Sequence, residues 1–179
     1  LGGWNVSNVT DMSLMFERAT NFNGNVKNWD TSNVLNMRSM FYLAENFNQD
    51  IGDWKTQNVT DFSLMFYGNL LFNQDIGLWN TSEATTMQGM FNGAASFNQD
   101  ISSWCVEKIT EEPSQFSFNS PLLQSYKPIW GSCGPTETGI NPNIYLDTNG
   151  VTIKCEDAAL GEKGLVNGKE YTVVDDQIL

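Results

Sequence analysis

The sequence contains no histidine, and of its 179 residues three are cysteines and nine are basic against twenty-one acidic. Each shortage closes off a class of function. Without histidine, general acid–base chemistry would rest on carboxylates alone. A zinc site loses its commonest nitrogen ligand, and no imidazole is at hand to activate a cysteine nucleophile. With a net charge of −12 there is no basic stripe to displace counterions from phosphates, which excludes nucleic acid as a partner. Anionic membranes are disfavoured for the same reason. No run of about eighteen apolar residues exists to span a bilayer. There is no G-x-S-x-G, P-loop or dinucleotide fingerprint either, so the chain reads as a non-enzyme without a cofactor.

The three cysteines form no C-x-x-C pair: Cys105 closes the regular part of the sequence, Cys133 lies in "WGSCGP" and Cys155 in "TIKCED". A Cys105–Cys133 disulfide is the favoured pairing. Closing a loop of that size contributes roughly 3–4 kcal/mol by the chain-entropy estimate. It requires an oxidising, extracellular setting; three free thiols in a cytosolic protein is the alternative. Cys155 is then left to pair outside this sequence. The opening "LGGW" matches "IGDW" and "IGLW" further along, so the chain reads as a piece of a longer one, and a missing targeting segment says little about the parent.

What is present in abundance is a repeat. Trp4, Trp29, Trp54, Trp79 and Trp104 recur at a step of 25 residues with no insertion. Met15-Phe16, Met40-Phe41, Met65-Phe66 and Met90-Phe91 keep that step, as do Phe22-Asn23, Phe47-Asn48, Phe72-Asn73 and Phe97-Asn98. A strict period in this range marks a solenoid, in which each coil buries its apolar stripe only against its neighbours. In the third coil the apolar positions are Trp54, Val59, Phe62, Phe66, Phe72 and Ile76. From Val59 to Phe66 the steps of three and four predict a short helix, opened by Thr60 and Asp61. Asn, Gly and Asp in "YGNLLFNQDIG" end it, and residues 74–79 are the candidate short strand.

The stretch "WDTSNVLNMRSMFYLAENFNQDIGDW" resembles the repeat of BspA-like and Mycoplasma-lipoprotein-type bacterial surface proteins. The likeness covers about residues 1–104, with weaker traces to about 130. It implies a leucine-rich-repeat-like α/β solenoid, a right-handed stack of coils each with a short helix and a short strand. It also implies a secreted or surface-displayed protein used for adhesion or recognition. Departures include Phe62 for the first Met of the third coil, Glu83-Ala84 for Asn-Val in the fourth, and Asn25 for the Asp of the first. The fifth coil decays, with Gln115-Phe116 at the Met-Phe position and Leu122 at the Phe position. Residues 104–133 thus read as a degenerate capping coil that completes a solenoid over 1–133. Residues 134–179 resemble a small β module that separates such arrays, with strand-like runs at Ile144–Leu146, Val151–Lys154 and Tyr171–Val174. Asn149-Gly150 and Asn167-Gly168 are its hairpin signals.

Three columns carry the candidate chemistry. Asp50, Asp75 and Asp100 recur in "FNQDIGDW", "FNQDIGLW" and "FNQDISSW". At a coil spacing of about 4.8 Å neighbouring carboxylates repel by roughly 1 kcal/mol even in bulk water. Calcium would answer that repulsion, with Gln49, Gln74 and Gln99 adding oxygens. No D-x-D-x-D or G-G-x-G-x-D loop is present, however, and the preferred reading is that each Asp accepts a neighbouring backbone N–H or faces water. Asn23, Asn48, Asn73 and Asn98 read as a structural amide ladder, donating to one coil and accepting from the next. The Trp and Met-Phe columns read as core. Residues that differ between coils would set the partner: Gly52-Asp53, Gly77-Leu78 and Ser102-Ser103, together with Glu17, Arg18, Tyr42 and Tyr67. The expected partner is a protein or glycan on another surface, alongside further modules of the parent chain. The competing function is a spacer or fibre unit that binds nothing.

Overall fold

A computed structural model describes residues 2–133 and, beyond them, residues 145–147, 152–153, 163–166, 169–174 and 177–178. Two compact units divide the chain, Leu1–Cys133 and Gly134–Leu179. Cys155 and the two Asn-Gly pairs lie outside the described residues.

In the first unit, corresponding residues of successive coils lie against one another, but the coils are not the helix-plus-strand units of an α/β solenoid. None of residues 2–133 lies in an α-helix or a strand. Turns follow one another instead, and the one helical element is a 3₁₀ turn over Gln124–Tyr126. Regular pairing between coils is limited to isolated parallel bridges along Asp11, Asn36, Asp61 and Thr86.

The hydrogen bonds give the physical reason. In the third coil Phe62, Leu64, Phe66 and Gly68 donate their N–H groups to Thr86, Gln88, Met90 and Asn92 of the fourth, over 2.7–3.1 Å. The residues between them close tight turns, Met65 on Phe62, Tyr67 on Leu64 and Asn69 on Phe66. An α-helix needs each of those N–H groups for the carbonyl four residues back, and here alternate ones are committed to the next coil. The backbone also turns left-handed every fourth residue, at Leu64 and Gly68, as at Leu14 and Arg18, Ser39 and Leu43, and Gly89 and Gly93. A β-turn with positive φ at its third position reverses the chain every few residues. That periodicity sets apolar side chains three and four apart just as a helix does.

The abundant Asn and Asp residues hold the remaining corners. Asn5, Asp11, Asn25, Asp30, Asn36, Asp50, Asp61, Asp75, Asn80 and Asp100 each accept the N–H two residues on through Oδ1. This is the Asx turn, which short polar side chains offer in place of helix or sheet. In residues 74–79, read as a strand, it is joined by a turn in which Trp79 N–H donates to Ile76.

The core is a set of aromatic columns. Phe16, Phe41, Phe66 and Phe91 stack at 5.6–5.7 Å between centroids, and Phe22, Phe47, Phe72 and Phe97 at 5.8–6.0 Å. Within each coil the two rings also stack, at 3.8–4.1 Å. The indole N–H groups of Trp54, Trp79 and Trp104 are satisfied by the carbonyls of Val26, Ile51 and Ile76. Buried Thr31, Thr56 and Thr81 donate to the carbonyls of Lys55, Asn80 and Cys105. The columns end in the fifth coil, where Phe116 meets Phe91 edge-on at 90° and Trp130 packs edge-on against Phe116. All five prolines follow residue 112, outside the regular coils whose N–H groups are needed between neighbours.

In the second unit β1 (Tyr145–Asp147), β2 (Thr152–Ile153), β3 (Lys163–Val166), β4 (Lys169–Val174) and β5 (Gln177–Ile178) form an antiparallel sheet in the order β2-β1-β3-β4-β5. β3 and β4 pair from Lys163 opposite Thr172 to Val166 opposite Lys169.

Candidate functional site

Asn23, Asn48, Asn73 and Asn98 fall in one line, and each Oδ1 accepts the main-chain N–H of the next coil: Asn48, Asn73, Asn98 and Leu123, at 2.9–3.1 Å. The column therefore bonds side chain to main chain rather than amide to amide. The second lone pair of the Asn23, Asn48 and Asn73 oxygens takes the side-chain NH₂ of Gln49, Gln74 and Gln99. Those glutamines, candidates for calcium oxygens in the sequence, turn their donor ends to the ladder. The Gln that follows three of the four repeated Phe-Asn pairs, Gly24 standing after the first, is the signal for that role.

Asp50, Asp75 and Asp100 each close an Asx turn, at 3.2, 2.9 and 3.0 Å from the N–H of Gly52, Gly77 and Ser102. Asp50 alone among them faces a cation: Lys27 Nζ lies 2.6 Å from its Oδ2. The Lys27 ammonium, helped by the Gly52 N–H, holds the Asp50 carboxyl below its ordinary range, and Asp50 in turn raises Lys27. Asp11 and Asp30 are lowered too, by hydrogen bonds from Ser13 and Ser32. Asp50, Asp53 and Asp75, with Gly52 and Leu78, line a shallow recess of about 200 Å³. The one group of three potential metal ligands drawn together among the described residues is Cys105, Glu107 and Cys133. Cys105 and Cys133 are joined in a disulfide, which leaves Glu107 as the single carboxylate there.

Two of the variable positions have a packing role as well. A Cβ at Gly52 would sit 2.6 Å from the Asp75 carbonyl oxygen, and one at Gly77 2.7 Å from that of Asp100. The glycines let adjacent coils close up, so their identity says little about a partner. Asp53, Leu78 and Ser103 are exposed, Leu78 by 81%.

Glu17, Arg18, Tyr42 and Tyr67 come together at another corner. Arg18 Nε lies 3.7 Å from the Glu17 carboxylate on the exposed first coil. The Tyr42 and Tyr67 rings stack at 4.8 Å with 14° between planes, so each offers the other a ring face. Leu43 lies against Gly68, where an added Cβ would collide with its Cδ2. Leu70 and Leu71, which the sequence reading did not single out, follow in the third coil and stand 44% and 48% exposed. This corner is apolar in the third coil, mixed in the second, where Glu45 and Asn46 follow Tyr42 and Leu43, and polar in the first.

A family model described as "Mycoplasma protein of unknown function, DUF285" matches residues 1–104 and 51–127. No curated protein and no solved structure matches the chain.

Proposed function

We propose, from the premise that this chain belongs to the DUF285 family of Mycoplasma proteins, that it is a non-enzymatic recognition or adhesion module displayed at the cell surface. The observation that carries the reading is the split between constant and variable positions. Phe and Trp columns repeat because each ring stacks on its own kind in the next coil, and the Asn and Gln columns because each Asn oxygen takes the next coil's Asn N–H and Gln amide. The corner positions change from coil to coil: exposed Glu17 gives way to half-buried Tyr42 and Tyr67 and to buried Asn92 at one site, and Thr20, Leu70 and Ala95, all exposed, and half-buried Glu45 occupy another. A scaffold that holds its interior fixed and varies its surface is suited to binding a protein or glycan. The Cys105–Cys133 disulfide supports an extracellular setting.

The test is a binding screen of the purified chain against immobilised host-matrix proteins and a glycan array. Saturable binding to a member of either set supports recognition, and uniform failure across both overturns it. The spacer reading is favoured by a different observation, the unbroken run of inter-coil hydrogen bonds from Met12 to Gly93, which makes the unit stiff whether or not it binds.

A further inference from the structure

We propose that the corner formed by Tyr42, Leu43, Tyr67, Leu70 and Leu71 docks a polypeptide segment that presents large apolar side chains flanked by Lys or Arg. The proposal rests on the recognition reading above and adds where the site lies and which chemistry it takes.

Its centre is held in place by one unusual residue. Asn69 occupies the column of Ala19, Ala44 and Ala94 and is fully buried. A buried primary amide is costly unless all its hydrogen-bonding groups are met, and here they are. Nδ2 donates to the carbonyls of Ala44 and Phe47, and Oδ1 accepts the N–H groups of Leu71 and Phe72. In the first, second and fourth coils the Phe N–H at this place goes to the alanine carbonyl instead, as Phe22 to Ala19, Phe47 to Ala44 and Phe97 to Ala94. The exchange replaces the turn found at 20–21 and 45–46 by an open bend at Leu70-Leu71. Leu70 N–H reaches the Glu45 carbonyl, as Ala95 N–H of the fourth coil reaches that of Asn69, whereas in the second coil the donor is Asn46, to Thr20. The buried amide therefore shapes a bend whose product is two exposed leucines. The other coils carry Thr20-Asn21, Glu45-Asn46 and Ala95-Ser96 there.

The surroundings complete an apolar centre with a polar rim, the anatomy of a protein interface. Leu43 lies against Gly68, two residues before Leu70 in the chain, and Tyr67, which stacks on Tyr42, directly precedes that glycine. The rim is the Glu17–Arg18 pair on one side and Ser96, whose hydroxyl donates to the Leu70 carbonyl at 2.7 Å, on the other. Stacking Tyr42 on Tyr67 covers one face of each ring and leaves a sugar at most the outer one. Leucines instead suit the apolar side chains of a polypeptide. Glu45, whose carbonyl binds Leu70, makes no ion pair among the described residues, and the chain carries a net charge of −12. Both favour Lys or Arg beside the apolar anchor.

The experiment pans a random-peptide phage library against the disulfide-intact chain and measures the affinity of the enriched peptides for three variants. Enriched peptides should combine at least two large apolar residues with Lys or Arg. Leu70→Thr with Leu71→Asn, which gives the third coil the residues of the first, should weaken them at least about tenfold. Asn69→Ala, which keeps both leucines and restores the column alanine, should weaken them as well, and Leu78→Ser, an exposed leucine elsewhere, should leave them unchanged. Equal binding to wild type and the double variant, or enrichment of peptides without apolar residues, overturns the proposal. A glycan array on the same chain separates the two levels of claim. Sugar binding without peptide enrichment overturns the polypeptide site and leaves recognition standing; binding of neither overturns both.

Discussion

The first and fifth coils of this sequence are covered in opposite ways. In the first, Trp4 is 56% exposed, while Trp29, Trp54, Trp79 and Trp104 are no more than 4% exposed. Phe16 and Phe22 are only partly covered. The carbonyls of Asp11, Ser13, Met15 and Glu17 receive no inter-coil donor among the described residues, although Asn36, Arg38, Met40 and Tyr42 all do. In the fifth, Phe116 is turned across the column, Trp130 covers it edge-on, and the chain folds back so that Val106 N–H meets Ser132 and Gly131 N–H meets Ile109. The Cys105–Cys133 bond fixes that return. A coil has no fold of its own. It becomes ordered where a neighbour accepts its N–H groups and covers its rings, and a closed end needs a rotated aromatic and a covalent tie in place of the next coil.

The contrast can be broken most forcefully in the middle of the stack. Phe66→Ala removes a fully buried ring between two others and should cost about 3–5 kcal/mol in urea denaturation. Phe16→Ala, in the first coil of this sequence, should cost about half as much, because its ring is already partly hydrated. Equal losses would remove the distinction between the fully covered and the partly covered ring. At the closed end, replacing Cys105 and Cys133 together by serine should cost about 3–4 kcal/mol for a loop of 28 residues, and mass mapping without reductant should recover the Cys105–Cys133 peptide from the native chain. A smaller effect is expected from Asn48→Ala, which strands the Asn73 N–H and the Gln74 amide: about 1–2 kcal/mol by the same denaturation assay.

The smallest effect concerns Asp50. Its folded carboxyl titrates below the unfolded value, so the Lys27 contact stabilises the chain above about pH 4 and is lost as pH falls through the depressed folded value. Lys27, raised by the same contact, stays charged throughout that range. The stability difference between wild type and Lys27→Ala should therefore be small at neutral pH, both partners being about half exposed, and vanish in acid. A difference that grows towards low pH would contradict it.

Much of this arrangement was legible in the sequence. The period, the aromatic columns and the decay at Gln115-Phe116 all follow from residues that recur or stop recurring at a fixed step, whereas the pairing of Cys105 with Cys133 follows from where three cysteines stand. The local conformation was not legible in the same way. Val59, Phe62 and Phe66 have helical spacing, but successive turns with Leu64 and Gly68 left-handed produce the same spacing. The non-glycine residues at positive φ, among them Leu14, Arg18 and Ser39, disguise those turns further, since side chains there are unusual. The richness in Asn and Asp was the better guide, because a chain held by Asx turns needs one at each corner. At the candidate site Tyr42 and Tyr67 stood out as exposed variation, whereas Leu70 and Leu71 did not. Their display depends on Asn69, and two of its four hydrogen bonds reach carbonyls in the preceding coil that no local pattern reveals.

The central claim is that a neighbouring coil, not a local helix, holds each coil in place, and scalar couplings across hydrogen bonds test it atom by atom. In the labelled protein the amide nitrogens of Phe62, Leu64 and Phe66 should couple to the carbonyl carbons of Thr86, Gln88 and Met90. A coupling from the Phe66 nitrogen to the Phe62 carbonyl carbon, the signature of an α-helix, would contradict the account.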